Sequence, residues 1–150
     1  MTNLILTIGH PLLVFSLLGV IVAERAMMSG ALAGSALRRL KSLDGAYGLL
    51  ALAIIAVGIL RVFFGLKGPD FYLPNPFFWA KMASFVAVGL LSIVPTLKIL
   101  AWHRSPAGEP DFAPAQADVA RVKRFVTAEL LVFPLIPVFA ALMALGYGLS

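Results

Sequence analysis

Four long runs of apolar residues, separated by shorter polar segments, organise the chain. They extend from about residues 4 to 23, 45 to 64, 78 to 101 and 125 to 148. Each is close to the roughly 20 residues that an α-helix needs to cross about 30 Å of hydrocarbon. None alternates apolar and polar residues with the period of two that marks a half-buried strand. The pattern predicts an all-α integral membrane protein: an antiparallel bundle of four transmembrane helices in a single domain over residues 1–150. The first run lacks a basic segment before it and a small-residue cleavage site after it, so it reads as a retained span.

The polar segments set the orientation. Glu24 to Asp44 carries Arg25, Arg38, Arg39 and Lys41, and Trp102 to Arg124 carries Arg104, Arg121, Lys123 and Arg124. The remaining connection, Gly65 to Phe77, holds only Lys67. Lysine and arginine collect in loops on the cytoplasmic side. Eight basic residues against one therefore predict both termini outside, in a multi-pass protein of the bacterial inner membrane. Ser105 to Pro114 (SPAGEPDFAP) reads as a flexible excursion, and Ala115 to Arg124 as a helix leading into the fourth span. No internal repeat stands out.

Composition agrees with this frame and narrows it. With 61% hydrophobic and 13% charged residues, a soluble chain would have nowhere to bury its apolar surface. The net charge of +5 sits largely in the inner loops, so topology accounts for it and nucleic acid is not an expected partner. Cysteine is absent, which excludes disulfides, thiolate chemistry and cysteine-held iron–sulfur clusters. Redox work would need a bound cofactor.

Charge inside the spans carries the functional signal, because an ionised side chain at the centre of a bilayer costs roughly 2.5–3.5 kcal/mol even on insertion scales. A rise of about 1.5 Å per residue puts His10, Arg61 and Lys81 in the outer half of three different helices. Glu24, Tyr47, Lys98 and Glu129 fall in the inner half. Positions fourteen apart on a helix differ by only about 40°, so His10 and Glu24 share a face. Lys81, Ser84, Ser92 and Pro95 form one stripe of the third span, and Glu129, Phe133, Met143 and Tyr147 one stripe of the fourth. Both stripes are expected to face the bundle interior.

Each set has two readings. His10, Arg61 and Lys81 are candidate ligand-binding residues; alternatively the two cations snorkel to the headgroups and His10, followed by Pro11, bonds a backbone carbonyl. Glu24, Lys98 and Glu129 are either an inner-leaflet proton relay or a structural, ion-paired group, in which Glu24 beside Arg25 is an ordinary helix-end charge and Glu129 pairs with Lys98 or Arg124. His103, beside Trp102, reads as an interface residue. The loop KGPDFYLPNPFFWAK is either an interfacial aromatic belt or a lid over the outer trio. As a lid it would bring Asp70, Tyr72 and Trp79, with Asp70 as the counter-charge. Pro95, Pro134 and Pro137 predict bends in the third and especially the fourth helix.

The segments GHPLLVFSLLGVIVAER, DGAYG, RVFFGLKGPDFYLPNPFFWAKM and GLLSIVPT resemble a bacterial inner-membrane family known as domain of unknown function 2214. That resemblance implies a fold and brings no activity. More distantly, a histidine in the first helix, an arginine at its inner end and an aromatic-x-x-Lys opening the third are similar to HemJ-type protoporphyrinogen oxidases and CopD-type membrane proteins. This likeness implies His10 as a haem-associated histidine, Lys81 as the family's lysine, and haem b as a candidate cofactor of a membrane oxidoreductase. Low-spin b haem takes two axial ligands, and His103 lies at the opposite face, roughly 20 Å away by helix rise. Met82, or a ligand from a second subunit, is the remaining candidate. Met1, Met27, Met28, Met82 and Met143 do not converge on a thioether site for copper.

Three functions follow as expectations. The first is binding of an anionic or redox ligand (haem, porphyrin or quinone) in the outer half. The second is a small proton-coupled permease, and the third an assembly subunit of a larger membrane complex. The expected surroundings are a lipid bilayer, with a homo-oligomer or a membrane-complex partner for the last two.

Overall fold

In the computed structural model, which describes residues 2–104 and 112–148, six helices account for the chain and no strand occurs among the described residues. They are α1 (Thr2–Met27), α2 (Ser35–Phe64), α3 (Pro69–Tyr72), α4 (Pro76–Arg104), α5 (Gln116–Val132) and α6 (Leu135–Ala144). Four segments are long and apolar enough to cross a membrane: Leu4–Met27, Ser35–Phe64, Pro76–Arg104 and Gln116–Ala144. The chain is a four-span membrane protein. Most of the SPAGEPDFAP stretch lies outside the described residues.

The helices outrun the apolar runs that announced them. α2 starts ten residues before Gly45, because Leu37, Leu40, Asp44 and Tyr47 recur at three- and four-residue intervals and form one buried face. Leu37 and Leu40 pack with Met28 and Leu32, while Arg38 and Arg39 stay exposed. α5 likewise begins well before Phe125, with Val122, Val126 and Glu129 along its buried face. Residues 28–34 therefore make up the whole connection between the first two spans, and Glu24 and Asp44 lie inside helices.

The spans pack as a ring: α1 against α2 and α5, and α4 against α2, α5 and α6. Leu17, Ile21, Ile54, Val88, Ile99, Val122, Val126 and Phe133 fill its centre. Large apolar side chains such as Leu49, Leu52, Leu90 and Leu131 point outward, as expected where the surrounding solvent is lipid.

Proline has different effects in the two helices expected to bend. α4 runs unbroken through Pro95, whereas the fourth span divides at Phe133 and Pro134 into α5 and α6. Pro134 cannot donate to the Leu130 carbonyl, and Pro137 falls in the first turn of α6, where backbone donors have no intrahelical partner anyway. α6 ends in a Schellman turn: Tyr147 N–H donates to the Leu142 carbonyl and Gly146 N–H to that of Met143, both at 3.1 Å. Gly146 takes the left-handed conformation this turn requires, at φ 86°. The turn rotates Tyr147 out of its predicted stripe; Glu129, Phe133 and Met143 are buried and Tyr147 is exposed.

Candidate functional site

The outer trio comes from three helices. The His10 ring of α1 lies against Gly58 of α2, where a β-carbon would stand only 3.3 Å from Cε1. A glycine at that point lets the ring approach the backbone. Arg61, one turn further along α2, and Lys81 of α4 are both within electrostatic reach of His10 and of each other. His10 Nδ1 is buried and has no hydrogen-bond partner. Lys81 Nζ stands 5.1 Å from the centroid of the Phe78 ring. Neither Arg61 nor Lys81 has an acidic partner within 4.0 Å among the described residues.

The loop above the trio is tied down from two sides. Asn75, fully buried, donates from Nδ2 to the Tyr147 carbonyl at 3.1 Å and accepts the Phe77 N–H on Oδ1 at 2.9 Å. Trp79 donates to the Leu73 carbonyl but keeps an exposed ring. Tyr72 is buried, edge-on to Phe71 and tilted against Phe78. With Met82 and Met143 these rings form a second apolar cluster. The Met82 side chain is thus part of that packing. Asp70 is exposed and makes no ion pair with Arg61 or Lys81.

The opposite half of the bundle, which the charge bias of the loops assigns to the inner leaflet, holds a set of the opposite sign. Glu24 of α1, Asp44 and Tyr47 of α2 and Glu129 of α5 are all buried. Asp44 and Glu129 both lie within electrostatic reach of Glu24. Tyr47 lies within hydrogen-bonding reach of Glu129 and of Ser92 of α4. Thr96 of α4 donates to Asp44 Oδ1 at 2.7 Å. Glu24 Oε1 and Glu129 Oε2 have no partner. The expected ion pairs do not form. Lys98 pairs with Asp118 at 2.9 Å, and Arg25 donates to Thr127 at 2.8 Å.

Between the two sets lies an apolar layer. Leu17 falls midway between His10 and Glu24, Ile54 between Asp44 and Arg61, and Val88 between Lys81 and Thr96; all three are buried. By helix rise the sets are roughly 20 Å apart along α4. Two surface grooves, of about 360 and 520 Å³, run beside α1 and α2 and take in neither set.

Sequence reading brought His10, Arg61 and Lys81 together and put Glu24, Tyr47 and Glu129 in one leaflet. It missed Asp44 and Thr96. Asp44 was assigned to a loop because hydropathy ends the span at Gly45, yet its spacing from Leu37, Leu40 and Tyr47 carried the helical signal. His103 lies in the last turn of α4, half-buried, next to a buried Trp102.

The comparison of families is consistent with this architecture. A family described as a predicted membrane protein (DUF2214) matches residues 2–148, nearly the whole chain. The chain belongs to that family. No curated protein and no solved structure matches it. Family membership supplies the membrane character and no chemistry, so the chemistry rests on the two polar sets. Among the described residues, no group of three or more histidine, aspartate or glutamate side chains is placed to hold a metal ion.

Proposed function

We propose that this membrane protein binds a lipid-soluble ligand bearing an anionic or strongly polarised oxygen in the outer half of its bundle. The class includes haem and other carboxylated tetrapyrroles, and quinones. The observation that carries the reading is a deficit of negative charge. Arg61 and Lys81 both reach His10, neither has an acidic partner, and His10 Nδ1 is buried without one. Unpaired cations in a low dielectric are stabilised by an anion far more than in water. Tyr72, Phe78 and Met82 beside them suit an apolar ligand body. Arg61 would hold a carboxylate by its fork of donors, Lys81 would add a point charge, and His10 would donate or accept at Nδ1. The bacterial inner membrane is the setting this reading assigns to the protein, with the loop over residues 65–77 on the outer side.

The test uses the purified full chain in lipid nanodiscs, titrated separately with haem, protoporphyrin and a ubiquinone analogue and followed by absorbance and thermal stabilisation. Saturable binding of one of them is expected, weakened at least tenfold by Arg61→Ala or Lys81→Ala. Absence of binding to all three, or binding unaffected by both substitutions, overturns the proposal.

A further inference from the structure

The inner set is short of positive charge. Glu24, Asp44 and Glu129 are 3%, 8% and 1% exposed, come from three helices, and make no ion pair within 4.0 Å with a lysine, arginine or histidine among the described residues. Arg38 and Arg39 of α2 and Arg121 and Arg124 of α5 are exposed, and Lys41 of α2 and Lys123 of α5 make no ion pair among the described residues. On α1, Arg25 turns away to Thr127 of α5. On α4, Lys98 turns outward to Asp118 of α5. Also on α2, Tyr47 is buried with its hydroxyl within hydrogen-bonding reach of Glu129. Three buried carboxylates without cations would repel one another in a medium that screens them poorly. The set is neutral only if its members carry protons or share a cation.

Geometry decides between these. Among the described residues the three carboxyls are not grouped to hold a metal ion together, whereas hydroxyls stand beside two of them: Thr96 donates to Asp44, and Tyr47 lies within hydrogen-bonding reach of Glu129. Glu24 Oε1 and Glu129 Oε2, on side chains almost wholly buried, have no hydrogen-bond partner, so each can take a proton or a hydrogen bond. Hydroxyls that donate and accept in turn are the groups through which a proton moves between carboxyls. The set sits one turn from the inner end of α1, while the layer of Leu17, Ile54 and Val88 separates it from the outer half.

We propose that Glu24, Asp44 and Glu129, with the hydroxyls of Thr96 and Tyr47 beside Asp44 and Glu129, form a proton-binding site that exchanges with the inner aqueous face. It accepts a proton onto a carboxylate oxygen and returns it to the same side in this state, because the apolar layer offers no acceptor beyond it. The site does not depend on the outer ligand, and it stands if that ligand is never found.

Infrared spectroscopy of the whole protein in lipid vesicles tests it. At neutral pH the wild type is expected to give the carbonyl stretch of protonated carboxyls. That band should shift in D2O, disappear as the pH is raised, and weaken in Glu24→Gln, Asp44→Asn and Glu129→Gln. Mapping of carbodiimide adducts by mass spectrometry in the wild type should place modification at Glu24 or Glu129, which keeps the test decisive if a variant does not fold. No protonated band, a band that does not exchange, or adducts only at other carboxyls would overturn the proposal. Loss of the band on adding sodium or lithium at constant pH also overturns it, in favour of a cation site.

Discussion

Thr96 of α4 donates its hydroxyl hydrogen to Asp44 Oδ1 of α2 at 2.7 Å, joining two spans in the bundle interior. A polar bridge between membrane helices has little water to compete with it, yet such pairs average only about 0.6 kcal/mol and reach about 1.7 kcal/mol at most. The bond therefore contributes modestly to stability and more to fixing how α2 and α4 are rotated against each other. A double-mutant cycle of Thr96→Val and Asp44→Ala, read by unfolding in mixed micelles, should give a coupling of roughly 0.5–1.7 kcal/mol. A coupling of zero would mean the two side chains do not meet.

Gly58 should not accept a large side chain. A β-carbon there stands 3.3 Å from His10 Cε1, so alanine forces a shift of a few tenths of an ångström and leucine displaces the ring. Gly58→Leu is expected to cost about 1–3 kcal/mol by overpacking. In a His103→Gln background His10 is the sole histidine, and its imidazole NMR signal should move in Gly58→Ala and broaden or vanish in Gly58→Leu.

Asn75 holds the outer loop to the last helix. Replacing it with alanine removes the acceptor for Phe77 N–H at the start of α4 and the donor to the Tyr147 carbonyl. Losses of about 1–2 kcal/mol are typical when such a buried capping side chain is removed. Hydrogen exchange should rise together in residues 69–79 and 145–148; a rise confined to one segment would show that they are not tied.

Lys98 and Asp118 make a contrasting pair, both about two-fifths exposed or slightly less, with 36% and 40% of their side-chain surface accessible. Exposed pairs contribute at most about 1 kcal/mol. Lys98→Ala should leave stability within that margin and leave the carboxyl infrared band unchanged. A large effect on the band would bring Lys98 back into the proton site.

Orientation can be measured directly, because the chain has no cysteine of its own. A cysteine at Leu66, the most exposed of the large apolar residues at 85%, should react with an impermeant maleimide from outside the cell. One at Ala31, exposed in the connection between α1 and α2, should react only after the membrane is opened. The reverse result would invert the topology and put the carboxyl set in the outer leaflet.

The existence and approximate extent of four spans, and which intramembrane polar residues share a leaflet, were legible from the sequence alone. Both are local properties: a helix in lipid is selected by the apolarity of about 20 consecutive residues, and depth follows from the fixed rise per residue. The tertiary structure alone decided which polar groups meet. Asp44 joined the inner set because the three- and four-residue spacing of Leu37, Leu40 and Tyr47 carries α2 back beyond the apolar run that begins at Gly45, and Lys98 left it because it pairs with Asp118 of α5. Tyr147 left its stripe because Gly146 ended the helix in a left-handed turn. The His10 contact with Gly58 likewise depends on how α1 and α2 are rotated and spaced. Helical phase fixes a residue's direction on its own helix, but the neighbour it faces is set by the packing of all four spans at once.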